Sequence, residues 1–320
     1  SRLVTLARTG WLALRGEAFE IDVDDRPTLG GETDPILDYN DSLRAYHWDD
    51  DWRRGVVAHY DYNLRRMASL ARAAGVPVIF VLPPSNLGGF PPLKSVHPRP
   101  LSENEAREFE ALVQSARDSY RTDVRRSIEY LQEAVAIDDR HAATLYDLGQ
   151  CMRAIGQPEK ARHYLVQARD CDVVPLRMIS ELEAAMQRVA VDEAIPLVDA
   201  HALLEATRPD GILADALLVD HVHPGFEGHR MIAAALVERL AFEGWLQLPG
   251  DWRDAADRVW DAHFQSLDYT YFAQGQRFLN SLEGWTQGRG DGPPAAERFP
   301  WRIRTDQPSD ASSIQTPATP

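Results

Sequence analysis

In Asp220-His221-Val222-His223-Pro224-Gly225 an acid stands three residues ahead of a histidine. A carboxylate at that spacing can hold one imidazole nitrogen while the other faces a cleft. It then fixes the ring's tautomer and stabilises the imidazolium that forms when the ring takes a proton. Asp220 and His223 are therefore candidate acid and base of a Ser-His-Asp device. The same residues allow blander readings: a helix-start acid favoured by the macrodipole of the helix that follows, and a capping or structural histidine. Asp220, His221, His223 and His229 could also imitate a metal cluster. No distant ligand set accompanies them, so no metal and no cofactor is expected, and His221 is expected to point away from the site.

These side chains need elements to position them. From Trp52 to Ala74 apolar residues recur at helical period, and Gly75 stops the helix as a C-terminal cap. The apolar run from Val76 to Pro83 then reads as a buried strand. The loop Pro84-Ser85-Asn86-Leu87 follows at the strand's C-terminal end, where open α/β sheets collect ligands, so Ser85 and Asn86 are candidate substrate-binding residues. A second short strand is read over Ala194 to Asp199, after a helix from Arg177 to Val189. The apolar run Met231 to Leu240 forms the helix behind the acid–base motif.

Residues 102–190 are almost wholly helical in pattern. Leu145, Leu148, Gly149, Met152, Gly156, Ala161, Leu165 and Ala168 match the spacing of a tetratricopeptide hairpin, in which the small residues let two helices approach. One repeat earlier, Ser127, Leu131, Ala134 and Asp139 mark a recognisable second helix behind a degenerate first one. One good repeat and one poor one make an insertion rather than a solenoid, because stable arrays usually need three or more. Residues 1–20 read as an amphipathic helix and 21–40 as loop. Residues 250–303 read as an aromatic-rich helical extension, and the tail from Asp306 has a disordered composition.

The 320 residues carry a net charge of −15, which argues against a nucleic-acid partner, since phosphate binding needs a basic face. A hydrophobic fraction of 44% indicates a globular chain. Two cysteines, Cys151 and Cys171, make neither a disulfide framework nor a metal site. No run approaches the ~18 apolar residues of a membrane helix, and no signal-peptide pattern is read in these residues.

The segments Asn63-Leu64-Arg65, Gly75-Val76-Pro77-Val78, Pro84-Ser85-Asn86-Leu87, Phe90-Pro91-Pro92 and Lys94-Ser95, then the helical insertion and Asp220-x-x-His223-Pro224, occur in this order. The set resembles a branch of the SGNH (GDSL-type) hydrolases that carries a tetratricopeptide-like insertion, over roughly residues 55–240. The resemblance implies an α/β fold, a partial flavodoxin-like three-layer architecture that is mostly helical in this chain. It also implies that Asp220 and His223 serve a serine esterase or acyltransferase acting on an acylated carbohydrate or lipid-like ester. Its setting would be membrane-anchored or extracytoplasmic.

The sequence departs from that pattern at its start, with no Gly-Asp-Ser and no clear glycine block. Asn40, in Asp38-Tyr39-Asn40-Asp41, is a weak match to the oxyanion asparagine. Ser85 lacks the Gly-x-Ser-x-Gly elbow of a nucleophile and is expected to line the site instead. Arg177, just after the insertion, is expected to face an anionic substrate group. The first residue is Ser, and the simplest expectation is the C-terminal part of a longer protein whose nucleophile lies outside this chain. The resulting division is 1–100 partial hydrolase-like region, 101–175 insertion, 176–245 hydrolase-like part with the acid–base motif, 246–305 helical extension and 306–320 tail. The alternative expectation is a non-catalytic module whose helical hairpin binds a protein partner.

Overall fold

A computed structural model of the protein describes residues 46–275. The expected N-terminal helix and loop, Asn40, the end of the helical extension and the tail lie outside the described residues.

The first described helix, α1 (Asp50–Ala73), starts where Asp49 accepts a hydrogen bond from the Trp52 N–H at 2.8 Å, with Asp50 and Asp51 favourably placed in its first turn. It ends before Gly75, which holds the left-handed φ of +65° that a helix terminator needs. Strand β1 (Phe80–Leu82) follows and pairs in parallel with β2 (Leu197–Asp199), Phe80 opposite Leu197 and Leu82 opposite Asp199. Both strands are shorter than their apolar runs. Pro77, Pro83 and Pro196 have no N–H to give a ladder, and only the residues between them pair.

Between the strands lie four helices, α2 (Glu103–Ser119), α3 (Val124–Ile137), α4 (Ala142–Ala154) and α5 (Pro158–Asp170), and then α6 (Ser180–Asp192). Each of the first three starts on a side-chain cap, from Ser102, Asp123 and His141, and α5 starts on Pro158, whose missing N–H costs nothing there. Leu131, Ala134, Leu145, Leu148, Ala161, Leu165 and Ala168 form their buried core. At Gly149 the α4 and α5 backbones come so close that a Cβ would lie 2.8 Å from Leu165 Cγ. The helix read from Arg177 begins three residues later, at Ser180, and Arg177 lies buried ahead of it.

Phe80 and Leu82, on one face of β1, pack with Leu64 of α1 and Met186, Val189 and Ala190 of α6. After β2 come α7 (Ala200–Glu205), α8 (Phe226–Phe242) and α9 (Trp252–Ser266). Leu204, Leu213, Leu217 and Leu218 pack beneath Met231 and Ile232 of α8. Arg239 of α8 donates to the Leu197 carbonyl at 3.2 Å. Helix α9 buries no residue and touches α8 through Phe264 on Phe226 and Asp257 on Arg230. The described chain is thus a mostly helical α/β protein around a two-stranded parallel sheet.

Candidate functional site

The segment from Leu217 to Gly225 folds back on itself without forming a helix. Leu218 bridges Pro224 in antiparallel fashion, the Val219 N–H donates to His223 O at 2.9 Å, and the Gly225 N–H donates to Leu217 O at 2.8 Å. Asp220 builds the tip. Its Oδ1 accepts the N–H groups of Val222 at 2.9 Å and His223 at 2.8 Å, the local pattern by which aspartate organises a turn. Its Oδ2 lies 2.6 Å from His223 Nδ1. Burial pulls the Asp220 carboxyl toward the neutral form. The N–H groups of His223 and Val222 and the His223 ring outweigh it and hold its pKa below the ordinary carboxylate value.

One carboxylate therefore shapes the loop and orients the ring. The His223 side chain is 71% exposed while that of Asp220 is 7% exposed, so the pair presents a wet imidazole on a dry acid. Among the described residues nothing hydrogen-bonds His223 Nε2, the nitrogen that would exchange a proton with a substrate or nucleophile. Gly228 lets α8 close behind the turn, since a Cβ there would meet the Leu217 carbonyl at 2.8 Å.

His221, next to Asp220 on the same turn, faces inward. Its ring lies 4.4 Å from that of Phe90, and burial, aided by the positive charge of Arg177, pushes its pKa down to about 3. His229 is exposed on α8. Among the described residues no three His, Cys, Asp or Glu side chains are grouped so as to hold a metal ion.

Ser85, Asn86 and Arg177 all sit inside the protein. Ser85 is wholly buried; its N–H donates to His201 Nδ1 at 3.1 Å and its hydroxyl is directed to the Met178 carbonyl at 3.4 Å. Asn86 is equally buried. Its Nδ2 donates to Asp215 Oδ1 at 2.9 Å and to the Asp220 carbonyl at 3.1 Å, and its Oδ1 accepts the Gly89 N–H at 2.7 Å. Arg177 Nη1 donates to the carbonyls of Asn86 at 2.6 Å and Phe90 at 2.9 Å, while its Nε has no partner. Burial lowers the Arg177 pKa and raises that of nearby Asp172, whose carboxylate accepts the N–H groups of Leu93, Lys94 and Val174. In this structure these three candidate substrate contacts instead hold the loop that lies against the acid.

No family model, curated protein or solved structure matches this sequence. The site therefore rests on its own geometry. A cleft of about 900 Å³ lies elsewhere: it runs along α1 past Arg53, Asp61, Arg140 and Arg188 and includes neither Asp220 nor His223. Arg53 and Arg188 there are already neutralised by Glu181 and Asp61. A ligand would have to break ion pairs to bind them, and the exposed imidazole is the better centre of chemistry.

Sequence reasoning missed Asp215, His201, Tyr146 and Gln150, all of which support the Ser85–Phe90 loop. The only local signal was the Gly88-Gly89 pair, a turn marker. At Gly89 a Cβ would lie 1.8 Å from Asp215 Oδ1, so only glycine leaves room for that contact. Cys151 and Cys171 are free, and burial pushes both thiols up to about 12, which removes them as nucleophiles.

Proposed function

We propose that this chain carries the acid–base half of an SGNH-type serine esterase or acyltransferase, with the serine supplied by polypeptide outside the chain. The observation that supports this reading is the Asp220 carboxylate, which takes two backbone N–H groups and the His223 Nδ1 while the far ring nitrogen stays open. In the reaction, Nε2 removes the serine proton as Oγ bonds to the ester carbonyl carbon. The resulting imidazolium, facing the Asp220 charge, returns the proton to the departing alkoxide oxygen as the C–O bond breaks. Water repeats the sequence to free the acid in an esterase; an acceptor alcohol takes its place in a transferase. The substrate class, an acylated carbohydrate or lipid-like ester in an extracytoplasmic setting, comes from the family resemblance alone.

The test is p-nitrophenyl acetate turnover by the protein joined to its nucleophile-bearing segment. His223→Ala should lower it by about 10⁴-fold or more. Unchanged turnover would refute the assignment. The 320 residues by themselves should not turn over the ester, and hydrolysis lost on Ser85→Ala would move the nucleophile to Ser85 and overturn the reading.

A further inference from the structure

The Ser85–Phe90 loop is a slab with two differently bonded sides. Its carbonyls at Asn86, Gly88 and Phe90 take donors from the helical insertion and the segment just beyond it. The Gly88 carbonyl accepts both the Tyr146 hydroxyl at 3.0 Å and Gln150 Nε2 at 2.7 Å, side chains four apart and so on one face of α4. Arg177 Nη1 takes the carbonyls on either side. The Leu87 side chain, wholly buried, belongs to the insertion's own core.

The loop's N–H groups run the other way. Asn86 N donates to the His221 carbonyl at 2.9 Å, and Leu87 N and Gly88 N both donate to Leu213 O at 3.0 Å. The Asn86 side chain adds its bond to the Asp220 carbonyl. The loop thus ties the insertion to the backbone of the residue whose carboxylate orients His223.

We propose that the helical insertion is the positioning element of the acid–base pair, with Tyr146, Gln150 and Arg177 acting as positioning residues through Asn86. This gives α4 an internal task, since the face bearing Tyr146 and Gln150 is occupied by the protein's own loop. Two neutral donors on one carbonyl and one guanidinium nitrogen bridging two more leave the loop one arrangement, and Asp220 inherits it. The inference rests on the reading of His223 as the base, but its test does not depend on finding the serine.

The test follows the His223 ring by ¹H–¹⁵N NMR in a Tyr146→Phe/Gln150→Leu variant. We expect shifted ring nitrogens and about tenfold faster exchange of the Nδ1 proton with solvent. Val189→Ala, in the separate core beneath α1 and α6, should lower the melting temperature without moving those signals. Should the double variant fail to fold, Tyr146→Phe, which removes one hydroxyl, carries the same test with a smaller shift. Parent-like ring signals in a folded variant would overturn the proposal, as would equal changes in Val189→Ala. Ring signals that respond, while His223→Ala leaves turnover unchanged in the protein joined to its nucleophile-bearing segment, would leave the positioning role standing and remove the esterase reading.

Discussion

The buried His221 makes the stability of this protein fall with pH in a way that can be calculated. In the unfolded chain its ring takes a proton near pH 6.5. Packed against Phe90 and near the Arg177 charge, the folded ring refuses that proton until about pH 3. The folded pKa is depressed, so the neutral-ring contribution is complete above the unfolded pKa. It shrinks as pH falls, because the unfolded state gains a proton that the native state does not. Integrating between those values, the step from pH 7 to pH 5 removes about 2 kcal/mol, and the step to pH 4 about 3 kcal/mol. His221→Phe fills the same space without a titrating group and serves as the reference. Urea denaturation followed by tryptophan fluorescence at a series of pH values gives the unfolding free energy of each protein. The expected result is a wild-type curve that falls away from the variant's by those amounts. Parallel curves from pH 7 to pH 4 would mean that the ring is solvated, and the packing described around Phe90 would be wrong.

Asp220→Asn should destabilise the protein by about 1–2 kcal/mol at pH 7, since a charged acceptor of two backbone N–H groups becomes neutral. Because burial is outweighed by those bonds and the Asp220 pKa is depressed, the difference should be full above about pH 4 and vanish as pH falls through the folded value. Gly89→Ala should drive Asp215 off Asn86 and cost about 1–3 kcal/mol in thermal melts, whereas Gly55→Ala, where a Cβ meets nothing, should not destabilise. Ala194 turns the chain from α6 into β2 at a positive φ of 52°, so Ala194→Gly should stabilise by about 1 kcal/mol in the same melts.

The parts of the site legible in the sequence are those whose partners are close in the chain. Asp220 reaches the N–H groups of Val222 and His223 and the His223 ring within three residues, so spacing alone carried the pairing. Helical periodicity likewise carried α4 and α5, whose contact depends on Gly149 and Leu165 in adjoining helices. Asn86, by contrast, finds Asp215 and Asp220 more than 120 residues away, and Arg177 meets the Asn86 carbonyl 91 residues away. A polar side chain read from sequence suggests a solvent or substrate contact, and nothing nearby reveals that a distant carbonyl has claimed it. The apolar runs misled in a simpler way: they report burial, and the prolines within them limit pairing to three residues in each strand.

The most direct measurement of the central claim is the tautomer of the neutral His223 ring, read from long-range ¹H–¹⁵N couplings in wild type and in Asp220→Ala. A carboxylate 2.6 Å from Nδ1 predicts a proton on Nδ1 and a bare Nε2 in the wild type, with that preference lost in the variant. A wild-type ring protonated at Nε2, or a tautomer balance indifferent to Asp220, would contradict the account.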